Sequence, residues 1–570
     1  MNLRPRRFFK ILPWIAGLLS LLFLLNAAGV ISKNIGVFHD ELWDFIPAVG
    51  MIKAASIAGW LEFKIFGYPL PLVSGPYQGA LKTWVSAPLL MMTGTSPRMI
   101  LAVNVLFSMV YLIALYWAIL PAAGRKWAWL VFASPFVDTN FLLTAPMDTG
   151  PSLFQYIFIS LTLGVLFRYL SSSDMKYYRM IWFFTGCVLA QKLTSIPVVI
   201  GIIILTGILS FRRFWQATAA HQAWPAIKSF YVIPGLYFLI PMIPHLFYFY
   251  KRGFSALYVA TADGVRGPYF PSLSQNFSFF RSMFDGANWY LRITLEKIAV
   301  TPPPIFALSL LVALASSLTL YLVFNTEKEY GKYAVICMVL CIGSFLLYPV
   351  FRGLDRPWHF YILTPILIGG SIIAIAHCLS FATNRRKGFA GFVLILFAAG
   401  LVSNIAFGTT HGMEMLRRIE SRKGACITSP ALYDVFRAMK SANLRKIYVI
   451  NYSLAYPIYV LSGGNIQVED LYWADLTQQR MDEWFEKLRS NPGIGIAYRY
   501  CRCMEGDPSW LSWMNREPQI YEFIKRLEVE RATLNVMSIK DDRQTEFVVI
   551  SQSGKGSDPG RRSAARDFKE

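Results

Sequence analysis

Charged residues are scarce in this chain of 570 residues. Only 16% of the residues are Asp, Glu, Lys or Arg, whereas 55% are hydrophobic and 15% are aromatic. A water-soluble globule of this size could not keep so much apolar side chain off its surface, so the composition excludes a soluble protein. The sequence therefore predicts an integral membrane protein.

Acidic residues are scarcer than basic ones: 34 Asp and Glu stand against 55 Lys and Arg, for a formal net charge of +21. Such an excess can indicate nucleic-acid binding. Here, however, the basic residues fall in short clusters between apolar segments, as membrane topology requires. Nucleic acid is therefore not expected among the partners.

Cysteine is also rare, with seven residues. Cys187, Cys337, Cys341 and Cys378 lie in apolar segments, where a small buried thiol is the expected role. The other three, Cys426, Cys501 and Cys503, lie near the C-terminus, where an oxidising compartment could pair two of them. The Cys501-Arg-Cys503 spacing is weak as a metal site because no further ligand set accompanies it.

Long apolar runs are abundant and predict about eleven membrane spans. The runs are 11–31, 99–120, 127–145, 150–169, 178–191, 194–211, 230–250, 303–324, 333–350, 360–380 and 389–408. The first follows a basic N-terminus, as in a signal peptide, but it is long enough to span and no clear cleavage site closes it, so we expect a retained anchor.

The basic clusters set the predicted orientation. They alternate regularly with the other loops, so the positive-inside rule makes them and the N-terminus cytoplasmic in the plasma (inner) membrane. The segments 32–98, 146–149, 251–302, 351–359 and everything after about 409 then lie outside. Loops 32–98 and 251–302 are too long to be simple connections, and loops of such length are more often functional.

The composition changes after the last apolar run. Residues 411–552 are predicted to form an extracytoplasmic α/β domain, with helices at 429–442 and 475–489 and strands at 446–450, 493–500, 534–539 and 546–550. The polar tail 553–570 is predicted to be disordered. Residues 1–410 form the predicted transmembrane module.

Acids and cations meet at the predicted outer face of the membrane. The acids are Asp40, Glu41 and Asp148, and the cations are Lys82, Arg98, Arg352, Arg356 and His359. Cations can stabilise a phosphate as it gains charge, and a carboxylate can accept a proton from an attacking hydroxyl. This mixture suits a substrate carried on a lipid phosphate.

Each of these residues also has a purely structural explanation. The acidic pair could be hydrated at the interface or complement a helix N-terminus, and Asp148 could cap the next helix. Lys82 and Arg98 could extend to lipid headgroups, and Arg352, Arg356 and His359 could form an interfacial belt. Their common side of the membrane favours the functional interpretation.

The order of these residues along the chain resembles the order of motifs in the GT-C superfamily of polytopic glycosyltransferases. The resemblance is strongest to the branch with protein O-mannosyltransferases and the lipid A aminoarabinose transferase. The resemblance covers roughly residues 10–410. Its motifs are Asp40-Glu41, Gly75-Pro-Tyr-Gln-Gly79 with Pro88, Gly94-Thr-Ser-Pro-Arg98, Met147-Asp-Thr-Gly-Pro151, Gly186-Cys-Val-Leu-Ala-Gln-Lys192-Leu-Thr and Arg356-Pro-Trp-His-Phe-Tyr361-Ile-Leu-Thr-Pro365.

The resemblance implies a transferase that moves a sugar from a polyprenyl-phosphate carrier to an extracytoplasmic glycan, lipid or protein, with inversion. Asp40 is expected to be the catalytic carboxylate, supported by Asp148 and Glu41. The expected substrate-binding residues are His39, Tyr77, Lys82, Arg98, Arg352, Arg356, His359 and Tyr361. No cofactor is expected, and a metal is not indicated because His39, Asp40 and Glu41 lack an obvious third and fourth protein ligand from elsewhere in the chain.

Two other classes of protein stay open at this point. A polytopic transporter or flippase would suit about eleven spans, although the acids crowd one face instead of the midplane. A scaffold or receptor built around the C-terminal domain would be favoured by a deep polar pocket in that domain and an Asp40 that solvent cannot reach.

Overall fold

The computed structural model describes fourteen stretches of the chain. They are residues 5–36, 42–54, 62–75, 78–148, 152–219, 223–253, 329–348, 361–385, 387–423, 429–449, 452–470, 478–501, 534–540 and 545–552. The predicted run 303–324, most of loop 251–302 and the tail 553–570 lie outside them.

Helices dominate the part before residue 424. In chain order they are α1 (Pro5–Asn34), α2 (Phe45–Ile52), α3 (Leu81–Thr93), α4 (Pro97–Ala123), α5 (Arg125–Ala128), α6 (Ser134–Val137), α7 (Thr139–Met147), α8 (Leu153–Ser172), α9 (Met175–Gln191), α10 (Ile196–Ala219), α11 (Ala223–Ile227), α12 (Ile233–Arg252), α13 (Glu329–Leu347), α14 (Thr364–Arg385) and α15 (Lys387–Arg422).

Within the described residues, six helices are long and apolar enough to cross a membrane, or seven if one bent pair counts as a span. Several carry a row of exposed apolar side chains, whose exposure to water would be unfavourable and which lipid would cover. On α1 that row includes Ile11, Trp14, Ile15, Leu18, Leu19 and Leu22. The chain is therefore a multi-pass membrane protein, and the total of about eleven spans stays a prediction.

The bent pair falls in the predicted run 127–145, which is not one continuous helix. The segments Arg125–Val137 and Thr139–Met147 meet at an angle of 81°. The break is at Asp138, whose backbone is extended and whose carboxylate accepts a hydrogen bond from the Phe141 N–H at 2.9 Å. Hydropathy cannot detect such a break, because a single capping residue changes the mean of the window very little.

The outer loop after α1 is ordered by two small hairpins. Strands β1 (Glu62–Ile65) and β2 (Tyr68–Pro71) pair antiparallel, and so do β3 (Val73–Gly75) and β4 (Gln78–Gly79). Helices α2 and α3 pack against each other beside these hairpins. Short elements in this loop agree with its aromatic, Pro- and Gly-rich sequence.

The C-terminal part is a five-stranded sheet with helices on both faces. Its elements are α16 (Ala431–Ser441), β5 (Lys446–Val449), α17 (Tyr452–Leu461), β6 (Gln467–Asp470), α18 (Gln478–Ser490), β7 (Ile494–Cys501), β8 (Leu534–Lys540) and β9 (Thr545–Gln552), with strand order β6-β5-β7-β9-β8. Neighbours of β5 run parallel to it, whereas β9 pairs antiparallel with β7 and β8.

Successive side chains along each strand point to opposite faces of this sheet. Ile447 and Val449 pack with α16 and α17 on one face, whereas Tyr448 packs with Trp484 and Phe485 of α18 on the other. The helices and strands predicted here are confirmed. Two elements were missed: α17, which contains Pro457, and β6, whose four residues are mostly polar.

The sheet domain contacts the outer loop directly. The Tyr433 hydroxyl donates to the Ile35 carbonyl oxygen at 2.9 Å, and Lys53 Nζ donates to Asn465 Oδ1 at 3.0 Å. The rings of Trp43 and Tyr456 meet edge to face, with centroids 5.6 Å apart. The domain therefore supports helix α2 and the residues just before it.

Candidate active site

A buried charge cluster of Asp44, Lys82 and Asp148 lies where the outer loop meets the helices. Lys82 Nζ is 2.5 Å from Asp148 Oδ2 and 3.7 Å from Asp44 Oδ2, and all three side chains are fully buried. An unpaired ammonium group could not remain charged in such a place, so the carboxylates are what keep it there. The Lys82 ammonium also lies over the Phe45 ring, 4.9 Å from its centroid.

Asp148 is held by the ends of two helices. Its N–H donates to the Thr144 carbonyl oxygen and closes α7, with a left-handed backbone at φ 48° that Asp tolerates better than most residues. Its Oδ1 accepts hydrogen bonds from the N–H groups of Ser152 at 2.8 Å and Leu153 at 2.9 Å. One oxygen thus caps α8 while the other faces Lys82, which fixes the carboxylate.

Asp44 is placed by the start of α2 and by the β3–β4 hairpin. Its backbone oxygen accepts a hydrogen bond from the Thr83 hydroxyl at 2.9 Å. Its Oδ1 lies 3.0 Å from Ser74 Oγ, which itself lies 2.6 Å from the Gly79 carbonyl oxygen. Burial raises the pKa of Asp44 to about 6, because the Lys82 charge, which lowers the pKa, does not fully offset burial and the nearby Asp148.

The β3–β4 hairpin is pressed against the end of α9. Gln78 pairs with Lys192 in an isolated antiparallel bridge, and a Cβ on Gly79 would lie 2.4 Å from the Ala190 carbonyl oxygen. Gln155 of α8 donates to the Lys192 carbonyl oxygen at 3.3 Å. The apolar runs 178–191 and 194–211 are separate helices, and the break between them brings a second buried lysine, Lys192, to the same end of the bundle.

The structure brings two predicted site residues together, Lys82 and Asp148, and describes two others. Arg98 is exposed in the first turn of α4, and Tyr361 is buried in the short 3-10 helix before α14. The remaining predicted site residues lie outside the described residues: His39, Asp40, Glu41, Tyr77, Arg352, Arg356 and His359. Their roles stay predictions.

Sequence reasoning missed Asp44, Ser74 and Gln78. Asp44 follows Asp40 and Glu41 so closely that three acids fall within five residues just after a span, and that density was the available signal. Nothing in their sequence distinguishes Ser74 and Gln78, because only the hairpin turns them toward Asp44. The structural explanation of Asp148 as a helix cap holds together with its place in the charge cluster.

The residues that the structure describes contain no group of three His, Cys, Asp or Glu side chains placed to hold a metal ion. His39, Asp40 and Glu41, which the sequence offered as ligands, lie outside those residues. Cys187, Cys337 and Cys341 are buried free thiols, as predicted for apolar segments, whereas Cys378 is free but only partly buried.

No family model and no curated protein matches the chain. Among solved structures, it is similar to ArnT from Cupriavidus metallidurans, with 10% sequence identity and a TM-score of 0.53 over 93% of this chain and 97% of that one. An oligosaccharyltransferase from Archaeoglobus fulgidus matches with 10% identity and a TM-score of 0.48 over 88% and 70% of the two chains. The likeness to ArnT shows that this chain has the fold of that protein, which is the GT-C fold that the resemblance predicted.

Proposed function

We propose that this protein is a membrane glycosyltransferase that moves a sugar from a polyprenyl-phosphate carrier to an extracytoplasmic glycan, lipid or protein. The observation that carries the proposal is the buried cluster of Asp44, Lys82 and Asp148 at one end of a GT-C helical bundle. Burying an ammonium group and two carboxylates costs free energy that apolar packing would not, so a stable fold alone gives no reason for it.

The proposed reaction is a displacement at the anomeric carbon. The bond from that carbon to the phosphate oxygen breaks, and a bond to the acceptor oxygen forms on the opposite face. The acceptor hydroxyl gives its proton to a carboxylate, and the polyprenyl phosphate leaves with its negative charge. A neighbouring cation stabilises that charge as it develops.

The roles assigned from sequence form the rest of the proposal. Asp40 is the base, Glu41 supports it and Asp148 orients the acceptor. The phosphate and sugar are bound by the cationic and aromatic residues of the outer face: His39, Tyr77, Lys82, Arg98, Arg352, Arg356, His359 and Tyr361. The contacts of Lys82 limit its role in binding the phosphate, because its ammonium group is already paired with Asp148 and a phosphate must share it.

The test uses lipids from a strain in which the gene is deleted. A polyprenyl-phosphate sugar should accumulate there, and the purified lipid should serve as donor for the protein in proteoliposomes. Asp40→Asn should then lower transfer more than tenfold, about 1.4 kcal/mol of barrier. Asp434→Asn is the matched control, because Asp434 is exposed and, among the residues that the structure describes, its ion pair is with Arg437 of its own helix.

Survival of transfer within tenfold in Asp40→Asn would reject the base assignment. Absence of any accumulated lipid-linked sugar would reject the donor. Movement of the lipid across the bilayer without transfer would instead identify a flippase.

A chelator belongs in the same assay. We expect transfer to continue after all free divalent cations are removed, because the chemistry proposed uses protein cations alone. Complete loss of transfer, restored by adding back one metal, would show that a metal takes part.

A further inference from the structure

The hydrogen bonds around Asp44 indicate which member of the charge cluster carries a proton. Ser74 has one hydroxyl proton and two neighbouring oxygens, the Gly79 carbonyl oxygen at 2.6 Å and Asp44 Oδ1 at 3.0 Å. A carbonyl oxygen can only accept, and it is the nearer of the two, so the Ser74 proton is directed to Gly79. With that proton directed to Gly79, the 3.0 Å contact of Ser74 Oγ with Asp44 Oδ1 is a full hydrogen bond when the Asp44 carboxyl group donates, whereas an ionised Asp44 would only share the one hydroxyl proton with Gly79.

The second oxygen of Asp44 leads to the same conclusion. Oδ2 has no partner with hydrogen-bond geometry among the described residues, although the Gln78 amide is close enough to lower the pKa of Asp44 somewhat, and Lys82 Nζ is 3.7 Å away, beyond hydrogen-bond distance. Asp148, in contrast, accepts from two N–H groups and from Lys82. A buried carboxylate with one oxygen unpaired is poorly stabilised as an anion, so Asp148 is the better place for the negative charge.

We propose that Asp44 is the proton-carrying member of the cluster. In the free protein it is a neutral carboxylic acid that donates to Ser74, while Lys82 and Asp148 form an ion pair without net charge. This inference rests on the proposed function in one respect: a cluster without net charge does not repel the phosphodiester of a lipid-linked donor, whereas the ionised form carries one excess negative charge.

The groups that face Asp44 among the described residues set the pH range of this behaviour. They are Lys82 of α3, Asp148 before α8, and the polar side chains of Ser74 and Gln78 in the hairpin. Burial is the largest cause that raises the pKa of Asp44, to about 6. The proton is therefore lost as the pH rises through about 6, and binding of an anion nearby shifts that loss to higher pH by linkage.

Infrared difference spectroscopy during a pH titration tests the proton itself. In the wild-type protein, a C=O band of a protonated carboxyl group should disappear as the pH rises through about 6. The band should be missing in Asp44→Asn and present in the control Asp434→Asn. An unchanged band in Asp44→Asn would overturn the inference.

A second variant, Ser74→Ala, keeps the test independent of whether Asp44→Asn folds. It removes the acceptor of the Asp44 proton, so the midpoint of the band should move to lower pH. A midpoint that moves to higher pH would mean that Ser74 stabilises the ionised carboxylate, which would also overturn the inference.

Binding of a polyprenyl methyl phosphate tests the consequence for the donor. This probe is a diester with one negative charge at every pH used. Between pH 6 and pH 8 its affinity for the wild type should fall by up to about tenfold per pH unit, the limit for one linked proton. Asp44→Asn should bind it equally at both values within twofold, because its amide remains neutral and donates to Ser74 like the protonated acid.

The two measurements fail in different ways. If the infrared band behaves as expected and no variant binds the probe, the lipid-phosphate function is wrong and Asp44 still carries the proton. If the probe binds with the same pH dependence in the wild type and in Asp44→Asn, the role of Asp44 is wrong and the proposed function stands.

Discussion

At the scale of single residues, the effect of Lys82 on stability depends on its partners in the charge cluster. A lysine with no exposed side chain, paired with Asp148 at 2.5 Å, stabilises the fold only while that anionic partner is present. Removing one member of such a buried pair leaves an uncompensated charge, which typically costs 3–5 kcal/mol. Removing both members is expected to cost much less than the sum of the single changes.

A double-mutant cycle tests this coupling. Lys82→Met keeps the length of the side chain and should lower the free energy of unfolding by about 3 kcal/mol or more, because Asp148 is left buried and unpaired. Adding Asp148→Asn, whose amide oxygen can still cap α8, should restore part of that loss. Thermal unfolding in detergent measures both, and strictly additive losses would contradict the buried ion pair.

Asp44 predicts a pH dependence of stability that is opposite to the usual one for an aspartate. Its pKa is about 6 in the folded protein against 3.8 as the ordinary value, so the folded state holds more protons than the unfolded state between those values. The contribution of Asp44 to the free energy of unfolding therefore falls as the pH rises from about 4 to 6.

Comparison with Asp44→Asn isolates this contribution. The difference between the melting temperatures of the wild type and Asp44→Asn should shift in favour of the wild type as the pH is lowered from 6.5 to 4.5. A difference that is constant over that range would show that Asp44 does not change its protonation on unfolding.

At the scale of elements, the β3–β4 hairpin depends on its close approach to α9. A methyl group on Gly79 would come within 2.4 Å of the Ala190 carbonyl oxygen, and a backbone atom cannot turn away as a side chain can. Gly79→Ala should therefore displace the hairpin, and with it Ser74 and Gln78, from Asp44.

We expect Gly79→Ala to lower both the melting temperature and any transfer activity. Gly207→Ala in α10 is the matched control, because nothing lies within 4 Å of its Cβ position. There the better helix propensity of alanine should leave the stability unchanged or raise it by up to about 1 kcal/mol. Equal behaviour of the two variants would mean that the hairpin can move without cost.

The helices and most of the sheet could be predicted because their sequence patterns are local. An apolar run of twenty residues, or a strand in which apolar and polar residues alternate, can be recognised from sequence alone. The break at Asp138, in contrast, depends on one capping side chain. The cluster was predictable only in part, since Lys82 and Asp148 share a side of the membrane but Asp44 joins them through a hairpin. No local pattern encodes the contact of Gly79 with Ala190, because it joins residues far apart in the chain.

At the scale of the whole molecule, the sheet domain is a support for the candidate active site. The ring of Tyr456 contacts Trp43, the residue next to Asp44 in the chain. Such an aromatic pair contributes about 0.5–1.5 kcal/mol beyond the area it buries. A change in the domain can therefore alter the position of Asp44 without touching the membrane helices.

Tyr456→Ala tests that connection. It should reduce transfer while the fold of the sheet domain is retained, because Tyr456 is only half-buried and its ring contacts Trp43, next to Asp44. Tyr250→Ala, at a position that is 81% exposed, is the control and should leave transfer unchanged. Full activity of Tyr456→Ala would show that the domain does not hold the loop.

The hydrogen bond from Tyr433 to Ile35 joins residues that are 398 positions apart. A ribosome that adds about 5–20 residues per second delivers the second partner roughly 20–80 s after the first. Throughout that interval the nascent chain presents Asp44 and its loop without their cover. Biogenesis therefore completes this end of the bundle last, and a chain that stops before residue 433 should reach the membrane yet lack a finished site.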